Sequence, residues 1–594
     1  MKRTNLREVA HTRSGEKGRG SNISVIAYDI GDYSLLEKQV TVDAVRKLYG
    51  SITKGRITRY EAPAIGALNF VLEDVLEGGR TRTLAFEESG KALSSLMLTM
   101  SLDVPDNYVG RSQREPETPP KKKELSPRSG KTVRLGSAAA WSRDRMEPAA
   151  DLVARGNIQY LGFDAMSEVT MSMLQIARMQ NARVPPFDPF LMDRLEPLLG
   201  ACKERGIKII TNGGWLDPKA AAYEIVALAN RLGIKDLKVG AVCGGILTDK
   251  IADLGLQFTE TGQAVADVRE QIVSAEAYLG ARGIVEALKQ GADVVVTTRV
   301  ADACVYLGPL AYEFGWDLGD HHFMAKGMII GHLMECGAQV CGGYFADPGY
   351  KDVPDLDNLG NPIVEVSEDY VIMSKLPGTG GLMSEATCKE QLLYEVQDPS
   401  RYYCPDVVAD MTKVSFKQLG PDEVEVFADD AGIPRSPTLK ALVGLREGFM
   451  TEEMVLFAGP GALERAELTK DILLKRFKRI DLKATEIRMD YIGANSVHRE
   501  STPPTNAAPY EVILRIAIKT TDLKEAEKLR REIEPLAVNG VAGTGKWATS
   551  APGSRVQPVI GLNSTLIPRE DVPHFLVMVD SAAQGPAIDL ADHR

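Results

Sequence analysis

The stretch Ala275–Trp316, AEAYLGARGIVEALKQGADVVVTTRVADACVYLGPLAYEFGW, decides the fold. Ile284, Val285 and Leu288 recur at helical spacing, and Gly291 stands where a helix would close in a left-handed cap. Asp293–Thr298 (DVVVTT) follows, short and apolar throughout, as expected of a strand covered on both faces. Arg299 and Asp302 come directly after it, where the strand gives way to the next helix. Ligands of open parallel sheets bind at that carboxyl edge, so the candidate site starts here.

The same rhythm runs backwards through the chain. Val133–Leu135 enters a turn at Gly136, and Ile158–Phe163 ends at Asp164 with Glu168 close behind. Ile207–Thr211 ends in Asn212-Gly213-Gly214, before Asp217-Pro218 starts a helix in cap-then-proline order. Leu237–Cys243 ends in Gly244-Gly245. Repeated β-then-α units predict an α/β domain with a doubly wound, Rossmann-like parallel sheet over 132–410. Asp164, Glu168, Asn212, Arg299 and Asp302 then collect at one edge. Each also has a plainer role: Asp302 suits a helix cap, Asn212 a turn, and Arg299 a pairing on the rim. Their shared address at successive strand ends makes the cluster a candidate site.

Further on, His332 and Glu335 stand three apart, on one helical face, a spacing that presents a general acid–base pair. A core histidine beside a capping glutamate fits equally. No third or fourth ligand follows at an informative spacing, so no metal is assigned. Gly378, Thr379 and Gly380 lie in a glycine loop before a helix at Ser384–Tyr394, where backbone N–H groups can meet an anion, although such a loop alone is more often a turn. From residue 411 to 594 strands dominate, with helices at Ala462–Arg479 and Leu523–Leu536, the pattern of an α+β lobe. Gly540–Lys546 copies the first seven positions of a P-loop. Trp547 replaces the magnesium-binding hydroxyl, and a helix precedes it where a strand is required, which argues against nucleotide hydrolysis.

Residues 1–106 mix strands and helices as an α+β sandwich: strands at Ser21–Asp29 and Arg56–Glu61, helices at Tyr33–Gly50 and Ile65–Leu76, and strand-like runs at Thr81–Phe86 and Leu96–Val104. Ahead of the first strand, His11, Arg13, Ser14 and Lys17 stand among glycines in what reads as a loop suited to a carboxylate or phosphate, or simply as a solvated basic loop. Residues 107–131 are rich in proline and charge, a linker whose Lys121–Lys123 run is solvated.

Composition narrows the class. With 594 residues, 44% apolar and 25% charged, the chain can fill two to four domains. A net charge of −11, without a basic stripe, argues against nucleic acid as a partner. Seven scattered cysteines suit a reducing compartment, and neither a secretory signal nor an apolar run of membrane-spanning length is seen, so a cytoplasmic protein that spans no membrane is expected.

The chain resembles the acyclic terpene utilisation (AtuA-like) proteins. The resemblance rests on Ala277–Gly280, Val296–Ala303, Gly331-His332 through Gly337, Pro377–Gly381, Tyr394-Glu395, Asp398-Pro399 and Pro405–Asp410 for the family's main domain. For its small ferredoxin-like domain it rests on His11–Gly18 and Gly66–Phe70. Two departures stand out: the small domain comes first here, and Glu16 replaces the usual Asp. The resemblance implies a catabolic role beside acyl-CoA carboxylases in branched acyl-CoA or small-acid breakdown. It supplies no settled reaction and no cofactor. A lyase or hydratase acting on an anionic acyl-CoA or carboxylate is the first expectation. His332 or Glu335 would be its base and Asp302 a further catalytic group. Arg299 would hold the carboxylate or developing enolate, and His11, Arg13, Ser14, Lys17, Asn212 and Gly378–Gly380 would bind substrate. A non-catalytic subunit docked on an acyl-CoA carboxylase is the alternative, and a homo-oligomer is expected. A nicotinamide-dependent oxidoreductase fits least, since Gly136–Trp141 lacks the G-x-G-x-x-G spacing.

Overall fold

Five parallel strands form the centre of the large domain. They are Val133–Ala139, Tyr160–Phe163, Lys208–Thr211, Val294–Thr297 and Val239–Gly244, side by side in that order. The computed structural model describes residues 1–114, 130–504, 508–546, 556–580 and 585–591; Lys121–Lys123 and Trp547 lie outside them. An apolar strand needs cover on both faces, and the alternation of Val294–Val296 supplies the contacts. Val294 and Val296 pack with the helices Glu147–Arg155, Leu199–Arg205 and Pro218–Arg231. Val295 packs with Arg282–Lys289, Cys304–Phe314 and His321–Glu335 on the other side. Each such side chain contributes about 1.5–3 kcal/mol on burial.

Among the described residues the sheet as a whole is mixed, with eleven strands. Four antiparallel strands extend it beyond Val133–Ala139: Pro362–Val366, Val371–Lys375, Glu423–Phe427 and Ser415–Gly420. His574–Val579 and Ile588–Asp589 extend the other edge. The parallel expectation therefore describes the centre and not the flanks. Strands from 415–427 and 574–579 belong to this sheet, although they fall within the stretch read as a C-terminal lobe.

A second sheet orders Ile272–Ala277, Thr438–Ala458, Glu511–Thr520 and Glu486–Ile492. Thr438–Ala458 is one strand with a bulge between Arg446 and Gly448. Gly448 has φ 145°, and a Cβ there would lie 2.4 Å from the Thr520 carbonyl oxygen, so the bend requires glycine.

The N-terminal domain is an antiparallel sheet ordered Ala10–Lys17, Gly20–Ala27, Ala67–Leu72, Ile57–Ala62. Helices Tyr33–Gln39 and Val42–Tyr49 cover one face. On the other, Ile26, Ala62, Ile65 and Ala67 join the core of the large domain. That double cover explains two departures from the sequence reading. Residues 67–72, all buried, lose the period-two signature of a half-exposed strand and imitate a helix. His11–Lys17, expected as a loop, is a strand whose polar side chains are consumed by a protein surface instead of water. Thr81–Phe86 is irregular, and only Ser101–Val104 of the last expected strand pairs, with Lys2–Asn5. All seven cysteines are unpaired, and no helix among the described residues is long and apolar enough to cross a membrane.

Candidate functional site

The strand Ala10–Lys17 lies across the large domain near the carboxyl edge of its parallel strands, and its side chains divide by parity. The even-numbered ones turn back to their own domain: Thr12 Oγ1 donates to the Ser94 carbonyl (3.0 Å), Ser14 Oγ to that of Lys91 (2.8 Å), and Glu16 pairs with Arg80 at 3.1 Å. The odd-numbered ones meet the large domain. His11 Nδ1 is 2.6 Å from Glu390 Oε1, an oxygen that Lys351 also holds at 2.8 Å. The Arg13 guanidinium is stacked between the rings of Tyr344 (4.2 Å) and Tyr394 (4.1 Å) and donates to Gln339. A Cβ on Gly15 would lie 2.5 Å from Glu395 Cγ and 2.7 Å from the Tyr394 ring, so only glycine lets this strand pass so close to those two side chains. His11 and Arg13 are thus bound into the seam between domains, while Ser14 is spent within its own. Asn22 Nδ2 donates to the Leu393 carbonyl (2.7 Å), and Asn69 Nδ2 to those of Val396 and Gln397 (2.9 and 2.8 Å), both from buried positions.

Lys17 reaches further. Burial works against its charge, but Glu168 and Glu395 outweigh burial and raise its pKa. Glu168 follows Tyr160–Phe163; despite burial, Lys440 and Lys17 pull its pKa down to about 2. Lys440, on the long strand, stands 3.0 Å from Glu168 Oε1 and 5.4 Å from the centre of the Tyr278 ring. Tyr278 continues the strand Ile272–Ala277, and its ring stacks under the Arg299 guanidinium at 4.2 Å. Its hydroxyl accepts from Arg299 Nη2 at 2.6 Å. Arg299 is only 3% exposed. Burial opposes its charge, yet Tyr278 and Asp302 hold it firmly protonated. Nη1 stands 3.4 Å from Asp302 Oδ1, an ionic contact without hydrogen-bond geometry, and neither atom has another partner. A chain of charge thus runs from Lys17 of the small domain through Glu168 and Tyr278 to Arg299 of the large one.

Carboxyls crowd this chain. Burial, opposed by Arg299 and reinforced by Glu335, pushes Asp302 up to about 6. Asp164 is pushed well up by burial and by Asp302. Burial holds Glu276 up at about 8, against the pull of Arg299. At neutral pH the site therefore contains fixed cations, ionised carboxylates and neutral carboxylic acids together, the mixture that acid–base chemistry needs. A cleft of about 410 Å³, counting its open mouth, lies at the domain seam between Glu16, Gly18, Gly79 and Arg80 on one side and Ser167 and Glu168 on the other.

His332 and Glu335 meet as the helical spacing predicts, with Nδ1 3.0 Å from Oε1. His332 Nε2 lies 3.2 Å from the Leu392 carbonyl, which can only accept, so that nitrogen carries a hydrogen. Both ring nitrogens are then occupied and His332 is 2% exposed, which leaves Glu335 as the member of the pair able to meet a substrate. Asn212 is similarly spent: its Nδ2 donates to Asp164 (2.7 Å) and its Oδ1 accepts from the Ala165 N–H (2.7 Å). In the glycine loop, the N–H groups of Thr379, Gly380 and Gly381 donate to the carbonyls of Leu376, Asn358 and Pro354. That loop is therefore closed on the protein's own backbone. Among the described residues, no three His, Cys, Asp or Glu side chains are grouped to hold a metal ion.

The sequence pattern of the acyclic terpene utilisation family protein AtuA matches residues 133–578, most of the chain. The chain belongs to the AtuA family. The AtuA ferredoxin-like domain matches residues 4–103, so in this family member the small domain precedes the large one. No curated protein and no solved structure matches the chain.

Three residues escaped the sequence reading. Glu276 and Tyr278 alternate with the buried Ala275 and Ala277 at the start of the stretch that leads to Arg299, a period-two signal that was available. Lys440 arrives from a strand more than a hundred residues away, with no local sign of its role.

Proposed function

We propose that this AtuA-family chain is a catabolic enzyme of acyl-CoA or small branched carboxylic acid breakdown, a lyase or hydratase that binds its anionic substrate between the two domains. The observation that carries the reading is the convergence of Lys17, from one domain, and Arg299, from the other, on one cluster of buried carboxyls at the seam. In the elimination direction, Glu335 takes the proton from the carbon α to the substrate carbonyl while His332 holds its carboxylate in place. The C–H electron pair becomes the new double bond, and the hydroxyl on the β carbon leaves with a proton from Asp302 as water. Hydration is the reverse. An acid tuned to about 6 is matched to donating and recovering a proton near neutral pH. Arg299 supports the enolate charge, and Lys17 with Lys440 anchors the distal carboxylate or thioester oxygen. The parallel centre of the sheet would serve as a Rossmann-like scaffold for this edge, in a cytoplasmic homo-oligomer.

The test incubates the purified chain with a panel of 3-hydroxy acids and their CoA thioesters, read by mass spectrometry for gain or loss of water. Turnover by the wild type, abolished in K17A and R299A variants that keep their circular dichroism, is the expected result. No turnover on any member, with a stable complex to an acyl-CoA carboxylase in pull-downs, would replace the proposal with a docking subunit.

A further inference from the structure

Buried polar atoms at the site lack hydrogen-bond partners, Arg299 Nη1 and Asp302 Oδ1 meeting only in an ionic contact at 3.4 Å. Arg299 Nη1 lacks a hydrogen-bond partner, and so does Glu276 Oε2, on a residue 2% exposed. Leaving such an atom unpaired carries the full desolvation penalty of the group, and a native fold that keeps these buried calls for a reason. Glu276 sits in the strand Ile272–Ala277, whose partner is the long strand carrying Lys440, opposite Leu442. Ser274 and Tyr278 share its face of that strand; Ser274, 2.7 Å from Ser172 Oγ, also hydrogen-bonds the Glu276 carboxyl, which leaves Oε2 as the unpartnered oxygen. Among charges, Arg299 acts on the Glu276 carboxyl most strongly, followed by Glu168 from the loop after Tyr160–Phe163. Nothing in the scheme above uses Glu276.

We infer that Glu276, as a neutral carboxylic acid, and Arg299 Nη1 together form a donor pair for one substrate oxygen, the oxygen on which negative charge develops. This deepens the proposed reading and rests on it. A carboxylate in that position would repel an enolate; a carboxylic acid donates to it. Burial keeps the Glu276 proton on up to about pH 8, so the pair is complete at neutral pH and fails above it. Arg299 supplies the charge and Glu276 a second direction of approach, which fixes the oxygen's position. Asp302, Glu168, Lys17 and Lys440 surround Tyr278 and Arg299 from their own elements. Of these, Asp302 titrates near 6, below the window in question, while Tyr278 and Lys17 are both raised from ordinary values that already lie above it.

Oxalate, a compact enolate mimic, tests the pair without requiring turnover. Calorimetric binding to the full chain at pH 6.5 is expected, with affinity falling about tenfold per pH unit above 8. E276Q keeps a neutral donor and should bind oxalate with no loss up to pH 9.5, whereas E276L should bind weakly throughout. With a substrate found by the panel, E276L should lose about 10²–10³-fold in kcat and E276Q far less. Absence of oxalate binding at pH 6.5, affinity that is flat to pH 9.5 in the wild type, or E276Q as weak as E276L would each overturn the pair. Because the binding arm needs no product, a chain that binds oxalate as described but turns over nothing would sink the lyase proposal alone.

Discussion

At Gly15 the small domain's strand passes close against Tyr394 and Glu395 of the large domain. Replacing Gly15 with alanine adds one methyl, and the added Cβ would stand 2.5 Å from Glu395 Cγ and 2.7 and 3.1 Å from two atoms of the Tyr394 ring. The residue behind that contact has little room to yield: Glu395 is already in the left-handed region at φ 57°, and Tyr394 is buried with Arg13 stacked on it. Gly15 itself is paired with Asn22 in the strand, so alanine suits its own backbone. The cost falls on the seam and not on the small domain's fold. Overpacking of this kind costs about 1–3 kcal/mol, which shifts a docking equilibrium by about 5–150-fold. Hydrogen exchange read by mass spectrometry should show faster exchange at 390–397 and at Asn22 in G15A, with the interior of the sheet at 294–297 unchanged. Lys17, two residues on along the same face, should lose its place beside Glu168, and turnover should fall with it. Unaltered exchange at the seam in G15A would refute the claim that this strand clamps the domains together.

Other outcomes follow from the same geometry. N69A should cost about 1–3 kcal/mol in urea unfolding, because it strips buried donors from the carbonyls of Val396 and Gln397. E335Q should lower turnover by about 10²–10⁴-fold while leaving substrate affinity largely intact. Stability should fall as pH rises from about 4 to about 8: Asp302, Glu16 and Glu276, at about 6, 7 and 8, keep their protons in the folded chain where the unfolded chain has released them. Thermal melts of E276Q should lack the part of that fall nearest pH 8. Below about pH 4.5 the sign reverses for Glu168, whose pKa of about 2 stabilises the fold until protonation removes it.

Residues 275–316 by themselves fixed a helix, a doubly covered strand and the position of Arg299 and Asp302 at its end, because hydrophobic spacing and a capping glycine are local signals. The same reasoning placed all five parallel strands and the pairing of His332 with Glu335. Partnership lay beyond it. His11, Arg13, Gly15 and Lys17 alternate with a period of two, but their polarity reads as an anion-binding or solvated loop until a second domain is known to cover them. Residues 67–72 look helical for the converse reason, since cover on both faces erases alternation. Which carboxyls stay neutral, and which cation reaches across from the strand of Lys440, depend on burial and on distances between segments hundreds of residues apart. Charge in a low-dielectric interior is set by those neighbours, and only the assembled chain brings them together.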